Sequence, residues 1–207
     1  MTKVLFLGCH ADDIDLACGG TIHKRLGQWD IHCATLSSSS FSPQGENGPH
    51  SDIWMCQMEA FETLGLKQSQ FDWFHHRTNF FYEERNEVWK TLKLLRDKLA
   101  PDMVFTHAAD DHQDHVVLAV ETMRVFQYSS VLEYHIPRSQ RTFVGNYFTG
   151  LNEADVEAKV RCLKCYPMYE DKHYFQESLL RAQLVCNGGY IGQQYAEAFR
   201  VIQLIET

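Results

Sequence analysis

Three absences frame this 207-residue chain. It has no apolar run of the roughly 18 residues that would cross a membrane, so no membrane partner is expected. It has no cluster of basic residues: 19 Lys and Arg stand against 27 Asp and Glu, a net charge of −8, so nucleic acid is not an expected partner either. It also has no G-x-G-x-x-G after its first apolar run. Gly8-Cys9-His10-Ala11-Asp12-Asp13 stands there instead, and its carboxylates would repel a pyrophosphate.

Cysteine supplies no framework. The seven cysteines are odd in number and scattered through a chain long enough to build a core, which suits reduced thiols. The one close pair, Cys162 and Cys165, has no second pair to complete a zinc ribbon and lies in a helical stretch, so both are read as packing thiols. The first eight residues lack the long apolar region and small-residue cleavage site of a signal peptide, and a cytoplasmic location is expected.

What is present is ordinary globular composition, 44% hydrophobic and 22% charged, and a length that fits one domain over residues 1–207. Continuous apolar runs at 4–9, 31–36 and 102–107 read as strands buried on both faces. Helical spacing covers 16–26, 53–64 with Gly65 as its cap, 84–99 before Ala100-Pro101, and 112–126, with Asp110 or Asp111 as the N-cap of the last. Residues 71–74, 132–136 and 142–148 read as further strands, 153–165 and 175–185 as helices, and 196–205 as a final element. A long loop is expected over 37–51, rich in Ser, Gly and Pro. Strands alternating with helices predict an α/β fold: a Rossmann-like three-layer α/β/α sandwich with a mostly parallel sheet.

Ligands in such folds bind at the carboxyl ends of the strands, and two polar segments start there. His10-Ala11-Asp12-Asp13, with Asp15 close behind, follows the first strand; taken alone it fits an acid-decorated helix N-terminus equally well. Residues 107–115 follow the strand at 102–107 and contain His107, Asp110, His112, Asp114 and His115. His112 and His115 are three apart, on one helix face, whereas His107 reads as a buried structural histidine. Together the segments offer two imidazoles and a carboxylate, the ligand set of a catalytic zinc site with one position open to water. The Asp12-Asp13 pair allows one carboxylate to ligate and the other to take a proton, and His112 with Asp114 suits an oxyanion donor.

Here the chain resembles a known family. His10-Ala11-Asp12-Asp13, followed by Gly19-Gly20-Thr21, is similar to the His-Pro-Asp-Asp signature of the PIG-L/LmbE-like zinc-dependent N-deacetylases. The segment 110–115 is similar to their second His-x-Asp-His motif, and Tyr195-Ala196-Glu197-Ala198-Phe199 to a segment near their carboxyl end. The resemblance implies His10, Asp13 and His115 as metal ligands and Asp12 as general base. It implies His112 as electrophile or as acid for the leaving amine, with Asp114 orienting it. It further implies Zn2+, or another divalent metal such as Fe2+, and a small N-acyl amino sugar or glycoside as substrate; a homo-oligomer is compatible with it. Two departures stand out. Ala11 replaces the usual Pro, and the substrate-holding Arg that many members carry after the second strand has no counterpart, since no Lys or Arg occurs from Ser38 to Leu66.

The aromatic stretch 71–82 could wall a sugar pocket, with Arg77 standing in for the absent arginine, although core packing is the better expectation. Arg181, Tyr190 and Glu197 are not placed at the site by spacing. The rival reading of the whole chain is a non-hydrolytic Rossmann-like protein that binds a small molecule or nucleotide.

Overall fold

A computed structural model describes residues 1–38 and 53–206. Its elements are β1 (Thr2–Gly8), α1 (Asp13–Arg25), β2 (Trp29–Thr35), α2 (Ile53–Leu64), β3 (Phe71–Trp73), α3 (Arg85–Leu99), β4 (Met103–His107) and α4 (Gln113–Val125), then β5 (Ser130–Tyr134), β6 (Tyr147–Leu151), α5 (Glu153–Leu163), α6 (Glu177–Gly189) and β7 (Tyr195–Gln203). The loop expected over 37–51 lies, beyond Ser38, outside the described residues. Among the described residues no helix is long and apolar enough to cross a membrane.

Seven strands form one sheet in the order β3-β2-β1-β4-β5-β7-β6. The first five pair in parallel, and β7 and β6 close one edge antiparallel. Alternation along the central strands feeds two apolar layers, because successive side chains leave a strand on opposite faces. Val4 and Phe6 of β1 pack with Phe105, Leu132 and the inner faces of α1, α2 and α5. Leu5 and Leu7 pack with Val104, Val131 and the inner faces of α3 and α4. The expected three-layer sandwich is therefore the observed one.

Several boundaries differ from expectation by a few residues, and three of them have a local reason. Helix α1 starts at Asp13 rather than 16, because Leu16 N already donates to Asp12 O and the acids Asp13 and Asp15 complement the positive helix end. Strand β6 runs 147–151 rather than 142–148: its partner β7 pairs Tyr147 with Phe199 and Leu151 with Tyr195, while Phe143 stacks on His135. Strand β5 starts two residues early, at Ser130, opposite Met103 of β4. The stop at 100–101 is as expected, with Ala100 in the left-handed region (φ 44°) ahead of Pro101.

The carboxyl-terminal strand also locks α1. The buried carboxylate of Glu197 accepts from Gly20 N at 3.0 Å, Thr21 N at 2.7 Å and Lys159 Nζ at 2.5 Å. The bare Gly20 makes room for this contact, since a Cβ there would stand 2.5 Å from Leu151 Cδ1 and 3.1 Å from Glu197 Oε1 and one of these side chains would have to move.

Candidate active site

From β1 the sheet grows through β2 and β3 to one side, and from β4 through β5 to the other. The strand order thus reverses between β1 and β4, which pair in parallel with Val4 opposite Met103 and Phe6 opposite Phe105. Such a reversal leaves a crevice beyond the strand ends, because the two following loops diverge. Here those loops carry His10 to Asp13 and His107 to His115, almost 100 residues apart in the chain.

Three of the expected residues converge. His10 Nδ1 lies 3.5 Å from Asp13 Oδ2, and His115 Nε2 lies 3.7 Å from Asp13 Oδ1. The other nitrogen of His115, Nδ1, is 2.7 Å from Asp110 Oδ2. That bond places the ring proton on Nδ1 and leaves Nε2 as a bare acceptor. Nε2 is buried and has no hydrogen-bond partner. A buried lone pair facing a carboxylate suits a cation ligand.

The electrostatics agree. Burial, and then the charge of His107, lowers the His115 pKa to about 4, so this imidazole is neutral. Burial acts to raise Asp13, but the imidazoles of His107 and His115 and hydrogen bonds from His10 and His107 hold it well below the usual carboxylate range. Burial acts to lower His10, but its bonds to Asp114 and Asp13 prevail and raise it to about 10. Without a metal the site therefore balances its carboxylates with a proton on His10.

Asp12 is set apart. Its side chain makes no cap to α1. Burial, and next repulsion from Asp13, raises its pKa to about 7, against the opposing influence of His10, a hydrogen bond with Tyr169 and the charge of Arg138. A carboxyl group poised near neutrality can exchange a proton during a reaction.

Asp114 has a different partner from the expected one. Its carboxylate accepts from Asn79 N at 2.7 Å and Phe81 N at 3.2 Å, and lies 3.0 Å from His10 Nε2. It is the backbone N–H of Asp114 that holds His112, donating to Nδ1 at 3.2 Å as His112 caps α4. Asp110, one of the two residues expected as that cap, instead accepts from His112 N through Oδ1 and supports His115 through Oδ2. With Nδ1 accepting, neutral His112 carries its proton on Nε2, and burial lowers its pKa.

His107 is buried as expected but belongs to the cluster: Nε2 is 3.0 Å from Asp13 Oδ2, and Nδ1 has no partner. The potential ligand atoms fall into two tight groups, Cys9-Asp13-His107-His115 and His10-His112-Asp114, each within 4.8 Å, with the His10–Asp13 contact joining them. Periodicity could not reveal Asp110 or His107 as site residues, because each reads as an ordinary cap or core residue until the partner loop is in place. The aromatic stretch divides: Phe71 enters the core, while the backbone at 79 and 81 cradles Asp114. Arg77 does not face the site unpaired, since its Nε is 2.5 Å from Glu84 Oε1.

Comparison with known proteins agrees with this geometry. Residues 5–126 match the family described as PIG-L, GlcNAc-PI de-N-acetylase. YaiS of Escherichia coli K12, described as a deacetylase, is 25% identical over 171 residues, 78% of this chain and 88% of that protein. N,N'-diacetylchitobiose deacetylase from Pyrococcus horikoshii shares the fold at TM-score 0.75 and 19% identity, over 98% of this chain and 84% of that one. GalB from Pseudomonas putida KT2440, a 4-carboxy-2-hydroxymuconate hydratase, shares it at TM-score 0.72 and 16% identity, over 100% of this chain and 98% of its own. One fold therefore carries more than one reaction, and the site must decide between them.

Proposed function

Because this chain belongs to the PIG-L family, matched over more than half its length, we propose that it is a metal-dependent hydrolase, a single domain over residues 1–207. It removes an acetyl or other short acyl group from the nitrogen of a small N-acyl amino sugar or related amide. The observation that carries this reading is the buried, partnerless Nε2 of His115, held toward Asp13 by Asp110.

His10 through Nδ1, Asp13, and His115 through Nε2 are the residues that would hold the ion, zinc or another divalent metal such as Fe2+; the donor set of two imidazoles and a carboxylate fits either. When bound, the ion supplies Lewis acidity, lowering the pKa of water and drawing charge from an amide carbonyl. Asp12, adjacent to the ligands and poised near neutrality, takes the proton from the attacking water. His112, neutral and protonated on Nε2, donates a hydrogen bond to the oxygen that gains charge as the carbonyl carbon becomes tetrahedral. The C–N bond then breaks, and the proton taken up by Asp12 is available to the departing amine.

The test pairs elemental analysis of the purified protein with free-amine release from N-acetyl and N-formyl amino sugars, before and after chelation. About one metal per chain with chelator-sensitive amine release is the expected result. A protein that neither contains nor acquires metal would overturn the reading in favour of a binding protein. Metal-dependent water addition to an unsaturated acid, with no amine release, would favour hydratase chemistry instead.

A further inference from the structure

Strand β5 ends beside the site, and the chain turns at once. Ser139 N and Gln140 N both donate to Ile136 O, at 3.0 and 3.1 Å, closing a turn over 136–140. Three more bonds fasten this turn to the loop between β4 and α4: Asp111 N to Ser139 O at 3.1 Å, Ser139 Oγ to Asp110 Oδ2 at 2.5 Å, and Gln140 Nε2 to Ala109 O at 3.3 Å. Asp110 is the carboxylate that orients His115. Residue 138 therefore stands on a fixed mount, next to the support of a candidate metal ligand.

Residue 138 is an arginine. Its side chain is exposed, with Cζ 5.9 Å from the centre of the Tyr174 ring. The Tyr174 and Tyr169 rings are 6.4 Å apart, and Tyr169 hydrogen-bonds to Asp12. Arg138, Tyr174 and Tyr169 thus form a continuous wall that leads to the candidate base. Among the described residues no carboxylate lies within ion-pair distance of Arg138, whereas Arg77 is held by Glu84, and Arg181 by Glu153 and Glu177.

A guanidinium presents a planar fork of N–H donors, and that fork matches the two oxygens of a carboxylate or phosphate. A net charge of −8 would repel such a group at long range. Arg138 supplies a local exception on the wall that leads to Asp12.

We propose that Arg138, mounted on the 136–140 turn and backed by Tyr174, is the anion-recognising residue of the substrate site, so that the preferred substrate carries a carboxylate or phosphate beside its N-acyl group. This rests on the reading of the site as an N-deacylase.

The test compares kcat/KM of wild type, Arg138→Gln and Arg138→Lys on neutral N-acetylglucosamine, its 1-phosphate and 6-phosphate, and the carboxylate-bearing N-acetylmuramic acid. Wild type should prefer at least one anionic compound by about tenfold, the scale of one charge-assisted bidentate contact. Arg138→Gln should abolish that ratio and Arg138→Lys restore part of it; the phosphate and carboxylate arms identify the anion. Equal wild-type rates on all four, or a ratio unchanged in Arg138→Gln, would overturn the proposal and leave the deacylase reading standing. If no compound is hydrolysed, the deacylase reading fails. Calorimetric binding of glucosamine against glucosamine 6-phosphate and muramic acid then decides the role of Arg138: tighter binding of an anion that disappears in Arg138→Gln upholds it, and equal binding overturns it.

Discussion

His115 Nδ1 lies 2.7 Å from Asp110 Oδ2, and this contact determines which nitrogen of the ring looks into the site. A second carboxylate behind a metal-ligating imidazole fixes its tautomer and raises its basicity. Asp110→Ala should therefore weaken metal affinity by roughly 10- to 100-fold while the chain stays folded. Competition against a chelator of known affinity reads the loss. Unchanged affinity would remove Asp110 from the supporting role.

The proton on His10 makes metal uptake depend on pH. Its pKa is raised to about 10 in the metal-free site, and a ligating imidazole must be neutral, so binding should release about one proton near pH 7. Apparent affinity should rise with pH by about tenfold per unit until His10 titrates. Calorimetry in two buffers of different ionisation enthalpy counts the proton. No proton release would mean that His10 is neutral before the metal arrives.

Asp12 separates catalysis from metal binding. Asp12→Asn should retain the metal and lose about 10²- to 10⁴-fold in kcat, whereas His10→Ala and His115→Ala should lose the metal as well. Only ionised Asp12 can accept a proton, so wild-type kcat/KM should climb with pH along an acidic limb. That limb lies at or below the metal-free pKa of about 7, because a bound cation favours the carboxylate. Full activity in Asp12→Asn would eliminate the mechanism.

Glu197 should matter for stability rather than for chemistry. Glu197→Ala leaves the buried ammonium of Lys159 without a counter-charge and removes the carboxylate that accepts from Gly20 N and Thr21 N of α1. The expected cost is about 3–5 kcal/mol, a fall in Tm of roughly 10 °C for a chain of this size. Pairing Glu197→Gln with Lys159→Met should recover much of it, since the unpaired charge is then gone. Thermal unfolding of the two variants beside wild type distinguishes a buried pair from a dispensable one.

Much of this was legible in the one-dimensional pattern. The apolar runs at 4–9 and 102–107 read as strands covered on both faces and the polar residues that follow them as strand ends, so an α/β sandwich with its chemistry at the loops after β1 and β4 is the expectation. His10, Asp12, Asp13, His112 and His115 were visible for the same reason, as ionisable groups where a buried strand stops. The partners were not. Asp110 reads as a helix cap and His107 as core, because their places in the site are contacts with other segments rather than features of their own. Asp114 turned to His10 and to the backbone at 79 and 81 once the β3–α3 connection lay against α4. Sequence thus determined which residue types stand at the strand ends, through hydrophobic alternation that any short window contains. Tertiary structure decided which of them face one another, because placing β1 beside β4 is a long-range pairing that brings together loops almost 100 residues apart.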